Sequence, residues 1–255
     1  MSSDRRTFIK RLGMGAAVGL GSLAILEKTA LVEASSSEPV ETNSETRWGM
    51  LIDMSLCDPE CNDCQKVCHA KHNVPDHGNK KDEIKWIWKA PFKNVFTDMN
   101  HTYLQAGLLE KPFLTLCNHC DNPPCVRVCP TQATFKRDDG IVQMDYHRCI
   151  GCRFCMAGCP YGSRSFNWRD PRENLKQLDP SFPSRERGVV EKCNLCAERV
   201  DVGQLPHCVE TCTNGVLIFG NLNDPESAIR KALNEKKTIQ RKPALGTRPS
   251  VFYVI

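Results

Sequence analysis

Sixteen cysteines in four groups of four constrain this 255-residue chain more than any other feature of its sequence. The groups are Cys57, Cys61, Cys64 and Cys68; Cys117, Cys120, Cys125 and Cys129; Cys149, Cys152, Cys155 and Cys159; and Cys193, Cys196, Cys208 and Cys212. No cysteine lies outside a group. Since four cubane clusters require sixteen thiolates, the count predicts four [4Fe–4S] clusters and a chain that moves electrons between them.

The spacing within the groups predicts how the thiolates are shared. The third group reads Cys-x2-Cys-x2-Cys-x3-Cys-Pro, which is the run found in bacterial ferredoxins. Three thiolates on a tight loop can bind three irons of one cluster, whereas the fourth points away and binds the neighbouring cluster. The second group has the same design with a longer step, and the first and fourth groups also end in Cys-x3-Cys.

Zinc binding and disulfide bonding are the two alternatives for so many cysteines. A zinc ribbon has two cysteine pairs separated by a long spacer, and not three closely spaced thiolates followed by Cys-x3-Cys-Pro. A chain of 255 residues does not need eight disulfide bonds for stability, and Cys-x2-Cys is a poor bridge geometry. Both alternatives are therefore weaker than iron–sulfur binding.

The net charge does not indicate nucleic-acid binding. The formal charge of the whole chain is +4, and residues 1–34 hold five basic and three acidic residues, which leaves +2 for the remainder. Four oxidised clusters with their thiolates would add about −2 each, so the loaded chain without residues 1–34 would carry about −6.

The first 34 residues have the parts of a twin-arginine signal peptide in the expected order. Arg5 and Arg6 begin the motif, an uncharged apolar stretch follows at 12–26, and residues 32–34 resemble a cleavage site. We expect export to the periplasm in the folded state, with clusters already assembled and Ser35 as the first mature residue. An ordinary amphipathic helix and an uncleaved anchor are the alternatives.

Short strands and two insertions are predicted outside the cysteine groups. Residues 35–47 are polar and lack apolar periodicity, which predicts a linker. An Asp-Gly pair between two apolar runs predicts a hairpin over 133–144. The insertions span about 69–111 and 169–188. Further strands are predicted at 48–54, 163–168, 215–220 and 251–255, and a helix at 224–236.

The repeated unit is a cysteine group flanked by short strands, with a short helix after each cysteine loop. Two units make one two-cluster module, so the second and third groups form an inner module over residues 112–168. The first and fourth groups are distant in sequence, and we infer that they pair in space as an outer module over 48–111 and 169–255. The predicted fold is α+β, with two ferredoxin-like [4Fe–4S] modules, one inserted within the other, and loop insertions.

Four stretches around the cysteines resemble a known family. They are CNHCDNPPC at 117–125, CIGCRFC at 149–155, KCNLC at 192–196 and LPHCVETC at 205–212. In these stretches the chain resembles the iron–sulfur subunits of the molybdopterin oxidoreductase superfamily and the related NrfC- and PsrB-type electron-transfer subunits, over about 48–255. Within this family, the twin-arginine start and residues 48–50, 69–75 and 167–171 look most like the DsrO type, the exported ferredoxin of the DsrMKJOP membrane complex found with dissimilatory sulfite reductase.

The resemblance implies which cysteines share a cluster. By the family pattern, Cys117, Cys120 and Cys125 pair with Cys159; Cys149, Cys152 and Cys155 with Cys129; Cys57, Cys61 and Cys64 with Cys212; and Cys193, Cys196 and Cys208 with Cys68. Two departures fall on one predicted cluster: the first group has Cys-x3-Cys instead of Cys-x2-Cys, and Thr213 replaces the proline usual after the last cysteine. All sixteen ligands are present, so no three-iron site is expected.

These features predict an electron-transfer subunit and not an enzyme, because the sequence contains no nucleophile, pterin-binding or flavin motif. The resemblance implies partners at both ends: an NrfD- or DsrP-like integral membrane subunit that handles quinone, a DsrJ-like multihaem cytochrome c in the periplasm, and DsrM- and DsrK-like subunits through the complex. No small-molecule substrate is expected. The alternatives are an NrfC- or PsrB-like subunit of a nitrite, polysulfide or tetrathionate reductase, and a free periplasmic ferredoxin.

Charged residues beside the ligands could tune the clusters, and the histidines raise the question of haem binding. Arg127, Arg148, Arg153 and Lys192 could raise cluster potentials, with solvated or partner-binding roles as the alternative. The absence of any Cys-x-x-Cys-His motif excludes c-type haem attachment.

Overall fold

The computed structural model of the protein describes residues 45–254. The predicted signal peptide and residues 35–44 of the predicted linker lie outside the described residues. The strands are β1 (Trp48–Asp53), β2 (Ile87–Pro91), β3 (Pro112–Leu116), β4 (Thr134–Lys136), β5 (Val142–Met144), β6 (Ser165–Phe166), β7 (Val190–Glu191), β8 (Leu217–Asn221), β9 (Thr238–Ile239) and β10 (Val251–Val254). The α-helices are α1 (Asp63–Lys71), α2 (Phe92–Val95), α3 (Pro124–Arg127), α4 (Phe154–Ala157), α5 (Ala197–Val200), α6 (His207–Glu210) and α7 (Ala228–Glu235).

A four-stranded sheet joins the two ends of the described chain in the order β8-β1-β10-β9. β1 pairs in parallel with β10, with Met50 opposite Val251, and antiparallel with β8, with Met50 opposite Phe219. The strands predicted at 48–54, 215–220 and 251–255 are therefore confirmed over Trp48–Asp53, Leu217–Asn221 and Val251–Val254, and they belong to one sheet.

The side chains of β1 alternate between two cores, as the period of a strand requires. Met50 and Ile52 belong to the main core, which also contains the Phe92, Phe96 and Phe113 rings. Leu51 points to the opposite face, where α7 covers the sheet. The amphipathic pattern of the C-terminal segment thus gives the predicted helix, whose N-cap Ser227 accepts a hydrogen bond from the Arg230 N–H.

Three two-stranded ladders surround the cysteine groups. The predicted hairpin is confirmed as β4 paired with β5, and Gly140 in its turn has a φ of 84°. β2 pairs with β3, and β6 pairs with β7. The strand predicted at 163–168 therefore forms, but its partner lies beyond the second insertion, and local sequence carries no signal for that pairing.

Each Cys-x3-Cys pair lies on or beside a short helix, as predicted. α1 contains Cys64 and Cys68, whereas α3, α4 and α6 contain the first cysteine of their pairs and end just before the second. α1 packs against α6, and α3 packs against α4. Within the described residues, no helix is long and apolar enough to cross a membrane.

Arg47 fixes the end of the predicted linker to the fold. Its backbone N–H donates to Asn221 Oδ1 (2.8 Å) and its guanidinium donates to Ser250 Oγ (2.9 Å). The guanidinium also pairs with the Asp121 carboxylate. The contacts of Arg47 therefore extend the described fold to residues before β1.

A buried ion pair attaches the second insertion to the strands around the cysteines. Arg185 and Glu191 are both fully buried and form a salt bridge. The Glu191 carboxylate also accepts hydrogen bonds from the Trp86 indole N–H (2.7 Å) and the Asn167 amide. Arg185 donates in addition to the carbonyls of His72 and Asn73. Each charge is thus compensated by an opposite charge and by further hydrogen bonds.

Arg185→Met should lower the free energy of unfolding by about 3–5 kcal/mol, because it leaves the Glu191 carboxylate buried without a cation. Urea denaturation under anaerobic conditions measures the change. Arg172→Met is the matched control in the same insertion, since the Arg172 ion pair with Asp170 is solvent-exposed and its loss should leave stability unchanged. Equal midpoints for wild type and Arg185→Met would contradict a structural role for the pair.

Candidate metal centres

Four cavities in the described part of the chain are each lined by four cysteines. We name these sets the Cys149 quartet (Cys149, Cys152, Cys155 and Cys129), the Cys117 quartet (Cys117, Cys120, Cys125 and Cys159), the Cys193 quartet (Cys193, Cys196, Cys208 and Cys68) and the Cys57 quartet (Cys57, Cys61, Cys64 and Cys212). The sets have the same members as those implied by the family resemblance. Iron binding by these residues stays a prediction.

The sulfur geometry fits a multi-iron group better than zinc or disulfides. All sixteen cysteines lie within the described residues and are free thiols. Tetrahedral zinc, with Zn–S bonds of about 2.3 Å, brings its sulfurs to within about 4 Å of one another. Across residues 45–254, no three cysteine sulfurs lie mutually within 4.8 Å. The wider spacing leaves room for a group in which each thiolate binds a different metal ion.

One helical turn serves two neighbouring cavities. In α1, Cys64 lines the Cys57 cavity and Cys68 lines the Cys193 cavity. The helix α6 makes the reverse connection, with Cys208 at the Cys193 cavity and Cys212 at the Cys57 cavity. Residues four apart lie on one helix face, displaced along the axis by about 6 Å, which is why one turn can place thiols at two adjacent cavities.

The pair α3 and α4 connects the other two cavities in the same manner. Cys125 and Cys129 line the Cys117 and Cys149 cavities respectively, and Cys155 and Cys159 line the same two cavities in the opposite order. The four cavities therefore form two crossed pairs.

The end of β3 shows which members of the two pairs are neighbours. Leu114 lines the Cys57 cavity, Leu116 lines the Cys193 cavity, and Cys117, the next residue, lines the Cys117 cavity. The Cys117 and Cys193 quartets thus lie side by side. The order along the row is the Cys149, Cys117, Cys193 and Cys57 quartets.

Burial changes along this row. Every cysteine of the Cys193 quartet is buried, as are three of the Cys117 quartet. At the two ends, all four cysteines of the Cys57 quartet and three of the Cys149 quartet are only partly buried. The middle of the row is buried, and its ends approach the surface.

The Cys-x2-Cys loop that opens each of the last three groups turns through a left-handed residue just before its second cysteine. These residues are His119 (φ 40°), Gly151 (φ 69°) and Leu195 (φ 61°). At Gly151 a side chain is also excluded by space, because a Cβ atom would lie 2.3 Å from the Gly188 carbonyl oxygen. This contact places the second insertion directly against the loop of the Cys149 quartet.

The Cys57 loop, with its extra residue, is held differently. Positive φ angles are absent from its residues 57–64. Instead the Lys89 ammonium of β2 donates to the carbonyls of Asp58 (3.2 Å), Pro59 (2.7 Å) and Cys61 (2.6 Å). Three carbonyls on one cation fix the longer loop, so the departure from the usual spacing has a structural compensation.

Of the four cations beside the ligands, three are exposed and one is buried. Arg127, Arg148 and Arg153 are exposed. The Arg153 guanidinium stacks on the Trp168 ring, 4.7 Å from its centroid. Lys192 is buried, and its ammonium donates to the carbonyls of Val142 and Cys193.

Lys192 acts electrostatically on the Cys117 quartet. Burial raises the pKa of Cys117, but the Lys192 charge and His119 outweigh it, so this pKa lies well below its usual value. Arg153 lines the Cys149 cavity, but of the four predicted cations only Lys192 is buried beside a quartet. Sequence reasoning missed a second such cation, Arg164, whose guanidinium donates to Cys125 Sγ (3.1 Å).

His72 is buried next to the Cys193 quartet. Its Nδ1 lies 2.9 Å from the Cys68 carbonyl oxygen, and its Nε2 lies 2.9 Å from Glu198 Oε1. The ring also contacts Trp86, with 4.7 Å between ring centroids. These contacts orient His72 as a packed, hydrogen-bonded neighbour of the quartet.

Known proteins resemble this chain over its whole length. A family model described as a 4Fe-4S dicluster domain matches residues 111–175 and 178–222. The Hdr-like menaquinol oxidoreductase iron–sulfur subunit 1 of Archaeoglobus fulgidus is 39% identical, over 98% of this chain and 97% of its own length. The tetrathionate reductase B protein of Salmonella typhimurium is 34% identical, over 100% and 89%. Protein NrfC of Escherichia coli is 32% identical, over 100% and 96%.

These relatives confirm the predicted family and the expectation of an electron-transfer subunit in place of a catalytic one. The dicluster match covers every cysteine of the Cys117 and Cys149 quartets and also the last cysteine group. The chain therefore belongs to the family of NrfC- and PsrB-type iron–sulfur subunits, which transfer electrons within oxidoreductase complexes.

Proposed function

We propose that the chain conducts electrons along a row of four [4Fe–4S] clusters, one bound by each cysteine quartet. The observation that carries this proposal is the crossed use of α1, α3, α4 and α6, each of which belongs to two adjacent cavities. When bound, the clusters would supply one-electron carriers. The chain supplies sixteen cysteine ligands and buries those in the middle of the row.

The nested arrangement of modules is part of the same proposal. The inner module, residues 112–168, would hold the Cys149 and Cys117 quartets. The outer module, residues 48–111 and 169–255, would hold the Cys193 and Cys57 quartets. The packing of α3 on α4 and of α1 on α6 supports this division.

Electrons would enter and leave at the two ends of the row, where the quartets are partly exposed. Apolar side chains lie open to solvent there: Ile150 and Phe154 are 66% and 58% exposed beside the Cys149 quartet, and Leu56 is 47% exposed beside the Cys57 quartet. Exposed apolar groups around a redox centre suit contact with a partner protein. Both ends therefore have the character of docking surfaces.

The partners that we propose are a quinone-interacting membrane subunit at one end and a periplasmic redox protein at the other. Relatives are named menaquinol oxidoreductase and menaquinone reductase subunits, which supports a quinone-linked complex. In the DsrO-like form of the proposal, these partners are DsrP-like and DsrJ-like, with DsrM- and DsrK-like subunits in the same complex and a role in dissimilatory sulfur metabolism. This finer assignment rests on the sequence resemblance at 48–50, 69–75 and 167–171.

The periplasm is the proposed location. Support comes from the arginine pair, apolar stretch and cleavage site within residues 1–34. Twin-arginine export moves folded proteins, so the sixteen thiolates could receive iron in the cytoplasm before export.

An NrfC- or PsrB-like subunit of a nitrite, polysulfide or tetrathionate reductase is the second candidate. The similarity to the tetrathionate reductase B protein and to NrfC favours it. It shares the four-cluster row and differs only in the partner at one end. A free periplasmic ferredoxin would use the same row without a fixed partner.

Cys120→Ser should remove one cluster and roughly one quarter of the iron, because the Cys117 quartet loses a thiolate. Iron analysis and EPR spectra of anaerobically purified protein measure this. Ser163→Ala is the matched control, since Ser163 lines the same cavity but offers no thiolate. Unchanged iron content in Cys120→Ser would refute the ligand assignment.

Copurification from native membranes separates the candidate functions. The DsrO-like proposal predicts recovery with an integral quinone subunit and a multihaem cytochrome c, identified by mass spectrometry. Recovery with a pterin-containing reductase would replace it by the second candidate. Complete recovery in a salt-washed soluble fraction would instead favour the free carrier.

A further inference from the structure

Arg164 lies between two of the cysteine quartets. It is 4% exposed and precedes β6. One guanidinium nitrogen donates to Cys125 Sγ (3.1 Å) and to Thr134 Oγ1 (2.6 Å). The other lies 3.0 Å from the Met144 sulfur, which lines the Cys149 cavity. The guanidinium thus contacts the wall of both cavities.

In the described part of the chain, the Arg164 charge has no carboxylate partner. Within residues 45–254 its hydrogen bonds go to two sulfurs and one hydroxyl, whereas the similarly buried Arg185 pairs with Glu191. An uncompensated charge in a dry site is costly. The group that can compensate it is Cys125, whose sulfur accepts from the guanidinium at 3.1 Å and is a thiolate when it binds iron.

The position of Arg164 is fixed by the β4–β5 hairpin. Thr134 is in β4 and Met144 in β5, and the two residues are directly paired. The Thr134 hydroxyl donates to the Gln143 carbonyl (3.0 Å), which leaves its oxygen free to accept from Arg164. These two contacts with the hairpin hold the guanidinium against Cys125.

We propose that Arg164 is a positioning residue that orients Cys125 and raises the reduction potential of the cluster held by the Cys117 quartet. This inference rests on the proposed function. One-electron reduction adds a negative charge to the cluster, and a nearby cation and an N–H···S hydrogen bond stabilise that charge more than the oxidised form. The reduction potential of the cluster at the Cys149 quartet, which Arg164 approaches through Cys155, should rise less. The potential at the distant Cys57 quartet should not change.

The test compares wild type, Arg164→Met and Arg164→Lys in EPR-monitored redox titrations of the full cluster-loaded chain. The signal lost in Cys120→Ser identifies the Cys117 cluster. Arg164→Met should lower the equilibrium constant for reduction of that cluster at least tenfold, which is about 59 mV for one electron. Arg164→Lys keeps the charge and should recover part of the shift.

Arg148→Met is the matched control, because Arg148 adjoins a ligand but is exposed and pairs with Asp145. It should leave the Cys117 cluster unchanged. Wild-type potentials in Arg164→Met, or equal shifts in Arg164→Met and Arg164→Lys, would overturn the proposal. A wild-type protein without iron would instead refute the proposed function itself.

A second measurement does not require a variant that lacks the Arg164 charge. Pulsed EPR of wild-type protein labelled with ¹⁵N-arginine should show a weak ¹⁵N coupling to the reduced Cys117 cluster, and Arg164→Lys should lack it. If Arg164→Met does not bind iron, this experiment alone tests the proposal, because the absence of the coupling in the wild type would overturn it.

Discussion

The crossed use of single helical turns is the constraint on which the rest of the structure depends. Helices α3, α4 and α6 have four residues each, too few to be stable in water by themselves. In each case the cysteine within the helix and the cysteine just after it line different cavities. Burial raises the pKa of Cys208 and of Cys68 well above the usual value, so these thiols hold their protons until a metal replaces them. Metal binding and folding should therefore be coupled.

Burial decreases from the middle of the proposed row of clusters towards both of its ends. The middle quartets are buried, so the electric field of a single charge such as Lys192 or Arg164 is only weakly screened there. The end quartets are partly exposed and lie beside open apolar side chains. A carrier with buried middle centres and accessible end centres exchanges electrons with partners only at its ends.

Local patterns predicted the elements whose signals are local. The Asp139-Gly140 pair gave the β4–β5 hairpin, and the apolar run after Arg47 gave β1. Spacing alone predicted that each Cys-x3-Cys pair bridges two cavities, because four residues are about one turn of helix. The family resemblance, and not the spacing, supplied the grouping of cysteines that are up to 155 residues apart, as Cys57 and Cys212 are.

Apart from the pairing of the first and fourth cysteine groups, contacts between distant segments were not predictable. β6 pairs with β7 across an insertion, and Lys89 binds carbonyls of the Cys57 loop about 30 residues earlier in the sequence. Arg164 has no motif of its own; its importance comes from the hairpin that places it against Cys125. Arg127, Arg148 and Arg153 adjoin ligands in sequence but are exposed, and Arg153 stacks on Trp168 beside the Cys149 cavity; adjacency in sequence reveals neither fact.

Anomalous X-ray diffraction at the iron edge from anaerobically grown crystals of the intact protein tests the central claim most directly. The account predicts four iron clusters in a row, in the order of the Cys149, Cys117, Cys193 and Cys57 quartets, each bound by its four thiolates. Zinc-edge signal at these positions, bridged cystines, or clusters bound by a different grouping of cysteines would contradict it.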